Sequence, residues 1–428
     1  MFYMKLNSMK ILHAVFLCFL LFACSKLTAQ KTYEEFIEPD YLKTVTFYAY
    51  SPQDVFNERF LNPPVVNLAN QNHQLVLEFD DLRAEFSQYK IKIVHCETDW
   101  TQSRLLDMEF LGQINELFLN DFQISQSTKV PYYHYRFLVP KPKISGNFVL
   151  QLFDDDNLIM EKKFWVYENA VDVLVEAQTA HDPEFWKTHQ QLNVKLELGN
   201  YRVGIPHREL KVMLRMNQNL WKEVKNKDLI NSGRNSFTLQ QFGNEYLFPA
   251  GNEYRFLDVS SSFRKGQSVK SIELGKPDLI NTLTQGKRVR LNYTDSYDND
   301  GGFIINNLDG GDRDITSDYV EVVFELEGPE FEPGKQPVLY GKLTNWQPVP
   351  MEFSADFDMY QQVLMLKNGV YDFSFAMENE LTKELDVAFY EGDFNQTGNT
   401  YEVFVYHTIP GRRYSSLIGY QLIRAIKR

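Results

Sequence analysis

The sequence predicts an all-β protein: three consecutive β-sandwich domains of the immunoglobulin-like kind behind a cleaved signal peptide. Three observations point there. Short runs of alternating apolar residues, separated by turn chemistry, recur from Tyr41 onward. Aromatic residues make up 14% of the chain, with 33 Phe and 24 Tyr, and flat rings suit a pleated, half-buried surface. At 428 residues the chain exceeds what one core supports, and its 43% hydrophobic content can fill several. No sustained helical period competes, apart from a short stretch at 417–426 that reads as helix or strand.

Residues 1–29 hold no acidic residue, place Lys5 and Lys10 ahead of the apolar run Ile11–Ala23, and end in small residues. This is the three-part layout of a secretory signal, and the run is too short to span a bilayer as a helix. The mature chain is therefore expected to be soluble or peripheral to a membrane. Two processing routes stay open: Leu27-Thr28-Ala29 suits a cut before Gln30, whereas Leu21-Phe22-Ala23-Cys24 has the look of a lipobox ending in a lipidated Cys24. Cys18 and Cys24 fall in or beside the signal, which leaves Cys96 alone in the folded part, without a disulfide partner or a Cys-based zinc site. Within the alternating run Ile91–Cys96 it reads as a strand residue. The formal charge is −13, and removal of Lys5, Lys10 and Lys26 leaves 57 acidic against 41 basic residues, a net charge of −16. Such a balance argues against nucleic acid and anionic lipid as partners, since both call for basic patches.

The first block, residues 31–170, alternates at Val45–Tyr50, Gln74–Phe79, Tyr89–Val94, Tyr133–Val139 and Asn147–Phe153, with turns at Ser145-Gly146 and Asp154–Asn157. The second, 171–312, alternates at Gln191–Leu198, Leu210–Met216 and Glu253–Val259, broken by the loop Tyr201–Pro206 and the turn Pro249–Asn252. An Asp, Asn and Gly-rich stretch at 295–314 leads into the third block, 313–428, with Asp318–Leu326, Val338–Gly341, Gly369–Phe375 and Tyr401–Tyr406.

Catalytic signatures are missing. There is no Gly-x-Ser-x-Gly elbow, no His-Glu-x-x-His pair and no phosphate-cradling loop, and His181, His189 and His207 stand singly. The acidic stretch fails as a calcium loop, because Gly302 follows Asp298 and Asp300 where the next ligand belongs and no Glu closes the loop. No catalytic residue, cofactor or metal ligand is assigned. One constellation is sharper: Tyr340-Gly341-Lys342-Leu343-Thr344-Asn345-Trp346 and the following hairpins resemble the early part of sandwich modules that bind glycogen-type glucans. It makes Asn345 and Trp346 candidate glycan contacts, set against the plainer reading of Trp346 as an edge packing residue.

Several phrases carry a resemblance to a family. Leu75–Leu82, then Ile93-Val94-His95-Cys96-Glu97-Thr98-Asp99-Trp100, Pro131–Tyr135, Ser145–Leu150 and Phe164–Glu168 resemble the first domain of type IX secretion system plug proteins. Gln218-Asn219 with Trp221, Gly251–Asp258, Asp318–Phe324 and Tyr390–Tyr401 through Tyr420 are similar to the rest of that family. The loop Asn299–Asp312 and Gly398 depart from its pattern. The resemblance implies a non-enzymatic periplasmic protein, peripheral to the outer membrane, that closes the inner mouth of the type IX translocon barrel while no cargo passes. It implies a protein partner, with no small-molecule substrate and no nucleic acid. It carries no active-site residue, so Asp80, Asp81, His95 and Trp100 are expected in a packed, hydrogen-bonded core. The competing expectation is an envelope glycan-binding protein acting through Trp346.

Overall fold

A computed structural model of the protein describes residues 31–52, 54, 58–241, 243–289, 292–328 and 333–425. The expected signal segment, with Cys24 and both processing routes, lies outside them. No helix among the described residues is long and apolar enough to cross a membrane.

The all-β sandwich architecture stands as expected. In the first sandwich one sheet runs in the order Phe36–Ile37, Asn157–Tyr167, Gly146–Asp154, Tyr89–Cys96, Leu117–Phe118, and the facing sheet runs Leu42–Tyr50, Gln74–Asp81, Tyr133–Val139, Asp121–Ile124. Tyr89, Ile91 and Ile93 point into the core while Lys90 and Lys92 alternate outward, the period of two that the sequence displays. Val65–Asn67 joins the first sheet in parallel with Asn157–Tyr167.

The expected boundaries at 171–312 and 313–428 do not match the strand pairing. Thr400–His407 pairs along Leu210–Met216, from Leu210 opposite His407 to Met216 opposite Tyr401, and Ser416–Arg424 pairs beside it. These two strands complete a middle sandwich whose other sheet holds Asp172–Thr179, His189–Glu197, Ser236–Leu239 and Leu229–Gly233. One core contains Leu192, Val212, Leu214 and Val224 together with Val403, Val405 and Ile418. The ambiguous stretch at 417–426 is therefore strand through Arg424.

The remaining sandwich is inserted within the middle one, between Arg255 and Glu391. Its sheets are built on Arg255–Asp258, Gly369–Asn379 and Lys335–Tyr340 on one side, and on Val269–Glu273, Asp278–Thr282, Tyr319–Glu327 and Met359–Lys367 on the other. Val320, Val322, Phe324 and Leu326 alternate into its core against Phe373 and Phe375. Contiguous boundaries fail here because a strand such as Thr400–His407 fits any sheet with an apolar face, and its partner lies far away in sequence.

A chain truncated after Asp393 therefore loses half of the sheet that covers the middle core. Amide hydrogen exchange is expected to show loss of protection at 189–197 and 210–216, with Tyr319–Glu327 still protected; retained protection at 189–197 would restore the contiguous boundaries.

Candidate functional site

The strand Gln74–Asp81 is buried on both faces, and the second face forms the seam between the first and inserted sandwiches. Leu75, Leu77 and Phe79 enter the first core, whereas Val76 and the neighbouring Tyr48 belong to the core of the inserted sandwich. Two acids share that second face. Glu78 lies 3.2 Å from Arg136 and 3.6 Å from Arg59. Asp80 accepts from Lys367 Nζ at 2.7 Å and Tyr319 Oη at 2.6 Å, and sits 2.7 Å from His134 Nδ1. Burial alone would raise the Asp80 carboxyl, but the Lys367 charge and the His134 contact outweigh it and hold it below the ordinary range. Lys367 also donates to the Asp314 carbonyl at 2.7 Å.

A second seam joins the first and middle sandwiches through aromatic rings. Trp165 packs with Phe404, Tyr406 and Leu417 of the C-terminal strands, and Tyr406 Oη donates to Asn147 Oδ1 at 2.8 Å. Arg215 grips both Glu402 oxygens at 2.6 Å. Its guanidinium lies 4.6 Å from the Trp165 ring and 4.7 Å from that of Trp221, the cation–π range.

Where these seams meet there is a cleft of about 280 Å³ walled by all three sandwiches. Trp100, Trp165, Trp221 and Trp346 line it, which is four of the five tryptophans in the chain. Lys162, Lys163 and Lys342 line it as well, against one carboxylate, the exposed Glu35. The Lys163 ammonium rests 4.4 Å from the Trp100 ring, and burial lowers its pKa. Lys342 donates to the Phe60 carbonyl at 2.8 Å, and burial pushes its ammonium down to about 8.

Asn345 and Trp346 follow the short 3₁₀ turn Lys342–Thr344, both with left-handed backbone at φ 54° and 59°. Trp346 is half-buried, edge-on to Tyr340 at 5.4 Å and to Tyr254 at 6.3 Å. Gly301, at φ 80°, makes room for it, since an added Cβ would lie 2.5 Å from the indole. Trp346 thus packs edge-on against two tyrosines and also lines the cleft. Nothing in the local sequence pattern indicates that Trp100, Trp165 and Trp221 join it; the scarcity of tryptophan is the one available signal.

The acidic stretch is occupied by its own chain. Asp298 accepts from the Tyr254 amide at 2.6 Å, Asp300 from the Thr400 hydroxyl, and Asp372 from the Asn299 amide and, at 3.3 Å, the Gly301 amide. Burial, with Asp372 close by, pushes Asp298 up to about 8. Burial likewise pushes Asp372 up to about 7, against the hydrogen bonds from Asn299 and Gly301. No group of three metal-ligating side chains occurs among the described residues. Cys96 is buried and its thiol pKa is raised by that burial, so it offers no thiolate for chemistry.

Residues 42–168 match the family described as Type 9 secretion system plug protein 1st domain. The first sandwich is a plug first domain. A crystal structure of a hypothetical protein from Parabacteroides merdae superposes with a TM-score of 0.84 at 25% identity, covering 92% of this chain and 100% of that one. The C-terminal domain of the Streptococcus pyogenes antigen I/II-family protein AspA reaches a TM-score of only 0.17 at 8% identity and informs nothing further. No curated protein matches the chain.

Within the plug domain three of the residues that carry the resemblance lie inside the core and a fourth lies on the cleft wall. Asp80, Asp81 and His95 are buried, and burial pushes the His95 imidazole down to about 4. Asp81 anchors Arg83 at 2.8 Å and Tyr89 Oη at 2.8 Å. Trp100 is half-buried on the cleft wall.

Lys367→Met leaves the Asp80 carboxylate buried without its cation and is expected to cost about 3–5 kcal/mol in urea unfolding. Adding Asp80→Asn to it should recover most of that loss. The Asp298–Asp372 pair sets a pH slope of known sign. Both folded pKa values lie above the unfolded carboxyl value of about 3.9, so the folded state holds more protons and stability falls as pH rises from about 4 to about 8. Asp372→Asn, which keeps an acceptor oxygen, should flatten that slope in urea midpoints measured across the window.

Proposed function

We propose that this protein is the periplasmic plug of the type IX secretion translocon, a non-enzymatic part that seals the periplasmic opening of the outer-membrane barrel while it is not transporting cargo. The observation that carries the reading is the plug first domain at 42–168. Three further features support it. The chain is built from sandwiches joined by buried charges and aromatic rings rather than by loose linkers, as a stopper exposed to a wide pore requires. The sequence holds no recognisable catalytic motif. No helix among the described residues is suited to crossing a membrane, which is compatible with a peripheral partner delivered to the periplasm.

The reading predicts that a C-terminally tagged chain pulled from detergent-solubilised outer membranes brings the translocon barrel with it in near-equal amount. A folded, abundant chain that recovers no barrel and is retained on envelope polysaccharide would point instead to a glycan-binding protein.

A further inference from the structure

We propose that the cleft at the junction of the three sandwiches is a binding site for an acidic saccharide, a sugar unit that bears a carboxylate or phosphate. Charge points there first. In a chain with 57 acidic and 44 basic residues, Lys162, Lys163 and Lys342 gather on one small concave surface with Glu35 as its single acid. No carboxylate among the described residues lies within ion-pair distance of these three ammonium groups, although buried acids elsewhere in the seams are matched to cations. A purely structural seam gains little from Lys163 and Lys342, whose partly desolvated ammonium groups meet a ring and a carbonyl but no anion.

The rest of the lining selects a sugar over other anions. The half-buried Trp100, Trp221 and Trp346 present apolar ring surface to C–H-rich sugars, with the buried Trp165 behind them. Asn345 and Gln347 stand exposed at the rim, and amides both donate to and accept from hydroxyl groups; Gln218 and Asn219 of the middle sandwich also line the cleft, with their amide nitrogens given to the Leu61 carbonyl and the Tyr340 hydroxyl. An acidic peptide would use the lysines but has no need for a ring of amides and indoles. The site draws walls from all three sandwiches, so an occupant would also brace their relative placement. It is defined by its own lining and is independent of the plug reading.

The test uses the full chain carrying Trp186→Phe. Trp186 is exposed and outside the cleft, so all remaining indole fluorescence then reports on the site. Titration with tetragalacturonate is expected to shift the emission, with an affinity about ten-fold or more above that for neutral maltotetraose. That affinity should fall steeply with added salt. The double variant Lys162→Gln and Lys163→Gln should weaken it about ten-fold or more at an unchanged melting temperature. Should that variant misfold, the salt dependence of the parent and the exposed-rim variant Gln347→Ala carry the test. Equal affinity for maltotetraose, tighter binding of hexaglutamate, salt-insensitive binding, or no response to tetragalacturonate would each overturn the proposal.

Discussion

The pairing of Asp80 with Lys367 is the constraint on which the relation between the first and inserted sandwiches depends. Each comes from a different unit, and each would be an uncompensated buried charge without the other. Buried ion pairs add little net stability compared with apolar packing, yet they are unforgiving of displacement, because a shift of an ångström or two strands both charges. Tyr319 and His134 close the remaining bonding capacity of the carboxylate. The outcome is a seam that is specified more sharply than it is glued.

Buried ion pairs recur inside the other two units. Arg215 with Glu402 stands beside Trp165, and Arg255 with Glu391 ties a strand of the inserted sandwich to the turn that leads out of it. Around each pair the neighbours are rings: Trp165, Trp221 and Phe404 about Arg215, and Phe375 about Arg255. Aromatic faces surrounding a paired guanidinium exclude water and strengthen the electrostatics they enclose.

Strand positions were legible in the sequence wherever one face met a core and the other met water. Tyr89–Cys96 and the stretch Leu192–Leu196 are examples, with inward residues at every second place. Two-sided burial was harder to read. Tyr401-Glu402-Val403-Phe404-Val405-Tyr406 is nearly unbroken in apolar character, and the one charge in it is the buried partner of Arg215. A run of that kind marks a strand covered on both faces, and Leu75–Asp81 carries the same signature with Glu78 and Asp80. What no local pattern encodes is the partner strand, so the return of residues 400–424 to the middle sandwich stayed hidden. The cleft was hidden for the same reason: Asn345 and Trp346 were identifiable as unusual, but the lysines and tryptophans they face arrive mostly from two other units.

The interrupted path of the middle sandwich has a consequence for delivery. A polypeptide that reaches its compartment N-terminus first can close the first sandwich early, since residues 31–168 suffice. The inserted unit can follow, closing its core on Tyr48 and Val76 of the first. The middle unit must wait, its half-built sheet open at Leu210–Met216, until Thr400–Arg424 has emerged. Completion of the whole body is thus reported by the last strands to arrive, and a chain cut short late in synthesis presents an unpaired edge to the proteases and chaperones around it instead of a finished protein.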